Sequence, residues 1–260
     1  MLFTNLVQAN LKTRVLGQRI EYYTRLESTN KEAWKIIKDG AKSGTVVITD
    51  NQVSGKGRGN RQWIASPDKS LTFSLLLFSD LDASLTGWLP ILSGVAVKMA
   101  LMKFNMPIQL KWPNDLIFNR KKVGGILCES KVKENELKQI VIGIGLNVNE
   151  TMDDFDDSIQ STATSLHIAM DKFYQRERIL AEILNALESL IKGMPNNCDL
   201  IRSEWESACG HMNEPVEFHH GAGLVNGVFK SLGNAGSAII NHNGKESEYY
   251  SGEIFESIPI

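Results

Sequence analysis

Two runs constrain this chain most: SLTFSLLLF at 70–78 and QIVIGIGLNVN at 139–149. Each has strand length and is almost continuously apolar, and a strand apolar on both faces is stable only in a sheet covered on both sides. The cover is also written in the sequence. Residues 85–104 place Leu85, Leu89, Leu92 and Ala96 at helical spacing, and residues 176–193 carry apolar side chains at 179, 180, 183, 184, 187, 190 and 191. A buried sheet packed by helices follows.

The remaining elements fit around that sheet. IEYYTRL (20–26) and TVVIT (45–49) read as strands, and between them ESTNKEAWKIIKDG reads as a helix capped by Ser28, Thr29 or Asn30 and stopped by Gly40. IQLKWPNDLIFNRKKVGGILCESKV gives strands joined by Pro-Asn-Asp and Asn-Arg-Lys turns. The acidic group Glu150, Asp153, Asp154, Asp156 and Asp157 reads as a solvated connection, since it lacks the fixed glycine of a calcium loop. After a helical piece at 200–209 the texture changes to short β-like runs separated by glycines, which predicts a barrel of about five strands. The boundary falls near residue 210, dividing 1–209 from 210–260.

Charge and cysteine usage narrow the setting. A formal net charge of −2 gives the whole chain no pull toward a polyanion or an anionic membrane, so any basic site is local. Cys128, Cys198 and Cys209 make no CxxC pair and no even set, which predicts a reducing, cytoplasmic compartment without structural zinc or disulfides. No signal peptide is expected, nor any stretch with the roughly 18 apolar residues of a membrane span. His219-His220 reads as a strand end rather than a metal site, and no nucleophilic triad is visible.

The segment NQVSGKGRGNRQW (51–63) alternates glycine at 55, 57 and 59 and carries Lys56, Arg58 and Arg61 with no acidic residue. Exposed amides beside fixed cations suit a phosphate. Two other readings stand beside it: a solvated surface loop, and a single-stranded nucleic-acid patch with Trp63 as stacking platform. KWPND (111–115) and RKKVGGIL (120–127) add an amide, a carboxylate and a lysine on neighbouring turns. Asp115 can hold a magnesium ion on the phosphates, and Lys122 can neutralise charge on a phosphoryl oxygen. Taken alone, each is also an ordinary turn or hairpin residue.

Together, ESTN (27–30), GKGRGNRQW (55–63), KWPND, KKVGGILCE (121–129) and GIGLNVN (143–149) resemble the biotin protein ligases in sequence, order and spacing. The resemblance implies an α+β fold, a mixed sheet flanked by helices related to class II aminoacyl-tRNA synthetases, followed by a small SH3-like barrel. It also implies a two-step reaction: biotin and magnesium ATP form biotinyl-5'-adenylate, which acylates a lysine of a biotin carboxyl carrier protein. By motif position Arg58 and Lys122 are the catalytic residues. Ser28, Thr29, Asn30, Gln52, Gly55, Gly124 and Gly125 join them at biotin, and Lys56, Gly57, Arg61, Trp63, Asn114, Asp115 and Asn147 fall on the ATP side, with Asp115 toward magnesium.

The resemblance carries further expectations. Larger relatives begin with a DNA-binding winged helix; about twenty residues precede the first strand here, so a ligase without the DNA-binding function is expected. Relatives dimerise through sheet edges, and the apolar strand 139–146 is the candidate edge. Lys56 stands where many members have arginine, which keeps charge but loses the planar fork, and Asn60 stands where some have glycine. The alternatives are a lipoate ligase or octanoyl transferase of the same fold and a noncatalytic cofactor-sensing or nucleic-acid module.

Overall fold

In the computed structural model, which describes residues 1–221 and 223–256 without the side chains of Asn60 and Glu256, the chain opens with α1 (Thr4–Asn10) and β1 (Ile20–Tyr23). Ser28 caps α2 (Thr29–Lys38), its hydroxyl accepting from the Lys31 amide. β2 (Val46–Thr49) leads into the glycine loop, where β3 (Gly55–Lys56) and β4 (Gln62–Trp63) pair antiparallel. β5 (Leu71–Asp82), a 3-10 turn and α3 (Trp88–Met102) follow. β6 (Gln109–Lys111), β7 (Asp115–Phe118), β8 (Lys121–Lys133) and β9 (Glu136–Leu146) form a meander. Asn119 and Arg120 both take positive φ in the β7–β8 turn, the geometry that matches the twist of a tight hairpin. Then come α4 (Leu166–Met170), α5 (Arg176–Gly193), α6 (Cys198–Ser207) and five strands: β10 (Pro215–His220), β11 (Gly223–Leu232), β12 (Ala238–His242), β13 (Lys245–Tyr249) and β14 (Glu253–Glu256).

The large sheet runs β1-β2-β5-β9-β8-β7-β6, with β1 and β2 parallel and the other neighbours antiparallel. Alternation along each strand sorts the core. Val46, Ile48, Phe73, Leu75, Ile142 and Ile144 pack with α3 and α5, whereas Val47, Leu76 and Val141 meet Ala33 and Ile37 of α2. This is the mixed sheet flanked by helices that was expected.

The order corrects one expectation. β9 lies between β5 and β8 and is paired along both sides, so 139–146 is no edge. Among the described residues an unpaired edge lies instead on β8, because β7 pairs with it no further than Gly125. The run Ala83–Met102 also departs from expectation: it is helical, long and apolar enough to cross a membrane, but 61% of its most apolar window is buried inside the protein, as in a core helix.

The acidic connection is mixed. Asp153, Asp156 and Asp157 are exposed, as a solvated segment requires, but Glu150 is fully buried, accepting a hydrogen bond from Ser70, and Asp154 takes Lys69 at 2.5 Å. His219 and His220 end β10, with His219 2.8 Å from Glu217; among the described residues no group of three or more His, Cys, Asp and Glu side chains is placed to hold a metal.

The five C-terminal strands form an antiparallel sheet in the order β13-β12-β11-β10-β14, consistent with an SH3-like domain. Its β11–β12 turn is held by the larger body. Trp88 Nε1 donates to the Asn234 carbonyl at 2.7 Å, Trp112 Nε1 to Gly236 at 3.1 Å, and Arg202 to Leu232 at 3.1 Å.

Candidate active site

The GIG of GIGLNVN makes the floor of the central cavity. A Cβ on Gly143 would fall 2.1 Å from Asn30 Oδ1, and one on Gly145 would fall 2.4 Å from Trp63 Cε2. Bare backbone is required there because two side chains from distant segments lie on it.

At one end of the floor the start of α2 meets the outgoing limb of the glycine loop. Gln52 Oε1 accepts from the Thr29 amide at 2.8 Å, and Ser74 Oγ lies 2.7 Å from Thr29 Oγ1 and 2.6 Å from Asn30 Oδ1. Asn30 Nδ2 donates to Glu129 at 2.8 Å. Ser28, Thr29, Asn30 and Gln52 are all buried and all line the cavity, a polar pocket suited to a neutral polar head.

At the other end Lys122 Nζ lies 2.5 Å from Asp115 Oδ1. A β-bulge explains its aim: Leu116 pairs with Gly124 but Ile117 pairs with Lys122, so Val123 is the extra residue. Strict alternation would put Lys122 and Gly125 on opposite faces, and the bulge resets the count. Lys122 then crosses Gly125, where an added Cβ would sit 3.4 Å from Lys122 Cε. The Lys122 amide donates to Thr162 at 2.7 Å and its carbonyl accepts from Thr164 at 2.9 Å, which fixes the base of the side chain.

The glycine loop arches over this end. Gly59 takes φ +64°, a left-handed turn that favours glycine, and a Cβ on Gly55 would meet Gln52 Nε2 at 2.5 Å. Arg58 is half-buried, and burial pulls its guanidinium pKa below the usual value. It donates to the Gly252 carbonyl, and Arg61 grips both oxygens of Glu253, with Nη2 to Oε2 at 2.8 Å. That hydrogen-bonded carboxylate raises the Arg61 pKa. The loop is therefore docked on the C-terminal sheet.

Beyond Trp63 lies a second cavity. It shares Gln62, Trp63, Lys111, Asp115 and Lys122 with the first and is otherwise lined by groups such as Asn147, Ile117, Phe155 and Phe255. Asn147 is braced through Nδ2 to the Thr164 carbonyl at 2.9 Å. The two cavities thus meet where the carboxylate, the lysine and the indole converge.

Most expected site residues come together here, including Lys56, Gly57, Arg58, Arg61, Trp63, Asn114, Asp115, Lys122 and Gly125. Two expected glycines do not line either cavity. Gly124 is buried, and its missing Cβ makes room for the Gly145 carbonyl and Leu116, both 2.8 Å away; Gly55 makes room for Gln52 and the Trp63 carbonyl. Lys111, Thr72, Phe73 and Glu253 were not anticipated. Lys111 stands in KWPND itself, cross-strand from Asp115, so its signal was present in the motif. Glu253 carried none, because its partner is 192 residues away.

Comparison with known proteins accords with this arrangement. A family model described as the Biotin/lipoate A/B protein ligase family matches residues 22–147. The bifunctional ligase/repressor BirA of Bacillus subtilis is 33% identical over 254 residues, covering 95% of this chain and 77% of that protein. The biotin–[acetyl-CoA-carboxylase] ligase of Mycobacterium tuberculosis is 25% identical over 259 residues, covering 95% and 94%. Among solved structures, the biotin protein ligase from Aquifex aeolicus in complex with biotin and ATP superposes with a TM-score of 0.77 at 28% identity, covering 92% of this chain and 98% of that one. This chain belongs to the biotin/lipoate A/B protein ligase family.

Proposed function

We propose that the chain is a biotin protein ligase of the cytoplasm, activating biotin with ATP to biotinyl-5'-adenylate and transferring the acyl group to a lysine of a carboxylase's biotin carboxyl carrier protein. The observation that carries the reading is the junction of the two cavities. A polar pocket at Ser28, Thr29 and Gln52 opens toward Lys122 and Arg58, and a second cavity leads away past Trp63. Residues 1–209 carry the chemistry in this reading, and residues 210–260 supply the surface on which the loop rests.

The pocket takes the ureido head and directs the carboxylate toward Lys122. A carboxylate oxygen attacks the α-phosphorus, and the bond to pyrophosphate breaks. Two anions must approach for this, so fixed cations at the meeting point lower the barrier. Lys122 lies between carboxylate and phosphate, and Arg58 covers both from the loop. In the second step the carrier lysine attacks the acyl carbonyl and AMP leaves. No protein nucleophile is needed, because the substrates supply both.

The residues fit a magnesium ion delivered with the nucleotide. Such an ion takes most ligands from phosphate and water and asks for only one or two carboxylates, and Asp115 lines the shared wall. When bound, the ion would neutralise phosphate charge.

The test is pyrophosphate release from magnesium ATP with biotin, lipoate or octanoate offered separately and no acceptor present. A burst stoichiometric with enzyme is expected with biotin alone. A burst with lipoate would reassign the acid, and no burst with any acid would leave a binding module.

A further inference from the structure

Arg176 opens α5 and lines neither cavity, but its side chain is only 6% exposed and joins the two ends of the glycine loop. Nη2 donates to Asp50 Oδ1 at 2.9 Å, and Nη1 donates to the Ser70 carbonyl at 3.0 Å. Asp50 is the last residue before the loop, and Ser70 is the last before β5. Between them lie Lys56, Arg58, Arg61 and Trp63.

Other bonds fix each limb near the same place. The outgoing limb is tied to the α2 approach by Leu26 to Asn51 and Val53 to Leu26, each at 2.9 Å, and the Asp68 amide reaches the Asp50 carbonyl at 3.0 Å. Asp50 Oδ2 is held in turn by the Tyr22 hydroxyl at 2.5 Å and the Leu2 amide at 3.2 Å. The tip has a different character: its ion pair to Glu253 is partly open to solvent. A loop that reaches across a cavity delivers its cations to one place only if its stem is fixed.

We infer that Arg176 is a positioning residue for the reaction, clamping the stem of the glycine loop so that Arg58 and Trp63 return to the same place over the bound adenylate. The inference rests on the ligase reading above. A planar guanidinium makes both bonds at once; a lysine can keep the pairing with Asp50 but not span to Ser70.

The test uses Arg176→Lys and Arg176→Gln in the full chain. Hydrogen exchange of the ligand-free protein reads the clamp without any reaction: amides of residues 53–63 are expected to exchange faster in both variants, with the central strands unchanged. In turnover, the KM for ATP is expected to rise about tenfold, within the roughly 100-fold that a 1 Å misplacement can cost, and adenylate should escape into solution. The lysine variant keeps the buried charge paired and so guards against a simple folding failure. Wild-type loop exchange in a folded Arg176→Lys protein, or wild-type adenylate retention by it, overturns the clamp. Absence of a biotin-dependent burst in the wild type overturns the ligase reading instead, and the exchange result then still decides whether the clamp exists.

Discussion

Trp63 lies against Gly145, so close that the smallest side chain at that position would overlap its ring, with a Cβ 2.6 Å from Nε1. The indole belongs to a loop and the glycine to a central strand. Gly145→Ala should therefore push the ring rather than the sheet. The expected result is a changed tryptophan emission and a raised KM for ATP, with a stability loss below the roughly 1–3 kcal/mol that overpacking a rigid core costs. In a Trp63→Ala background the second change should add almost nothing, and a fully additive double-mutant cycle would rule out the contact as the cause.

Lys122→Ala removes the cation at the junction and leaves Asp115 without its 2.5 Å partner. Losing one charge-stabilising donor of this kind costs about 100- to 1,000-fold in rate. Biotin-dependent pyrophosphate release should fall by that order while the protein still folds. Release within a few-fold of wild type would remove Lys122 from the first step.

Arg58 and the pairing of Arg61 with Glu253 hold the loop against the C-terminal sheet. Because the pair is solvent-accessible, Glu253→Gln should change stability by less than about 1 kcal/mol. Arg58→Gly should still form adenylate but release it, seen as unselective acylation of bystander lysines. Glu253→Gln should do so more weakly. Equal retention of adenylate by wild type and Arg58→Gly would count against a lid.

Buried Glu150 predicts a pH dependence. Desolvation pushes its carboxyl from 4.5 up to about 7, and among the described residues its Oε2 has no side-chain hydrogen-bond partner. The folded state therefore binds a proton that the unfolded chain releases between those values. Stability from this group is fully present below pH 4.5 and is lost as pH rises to about 7, with an expected difference of about 3 kcal/mol. Glu150→Gln should abolish that part of the slope, so urea unfolding of both proteins at pH 5 and pH 8 gives the answer. Parallel pH profiles would mean that Glu150 does not titrate in this range.

Strands and helices were legible where burial writes itself into periodicity, as in 70–78 and in α5, whose limits of 176 and 193 match the apolar stripe. The local motifs also named most cavity residues. What stayed hidden depends on neighbours. Whether 139–146 is an edge is decided by strand order, and Glu150 looked like the aspartates beside it until the fold buried it. Gly124 and Gly125 are identical letters, but one fits a strand contact and the other the path of Lys122. The bulge at Val123 that aims Lys122 has no sequence signal of its own.

The turn at 233–237, held by the indoles of Trp88 and Trp112, bears on how the chain can be cut. A protein shortened near residue 210 would keep every cationic side chain of the site, but would take the carbonyl acceptors from the Trp88 and Trp112 indoles and uncover the apolar start of α3. It would also leave Arg58 and Arg61 with nothing to rest on. A minimal active fragment is thus not to be found by trimming at the apparent seam, and the two parts have to be expressed, engineered and inherited as one piece.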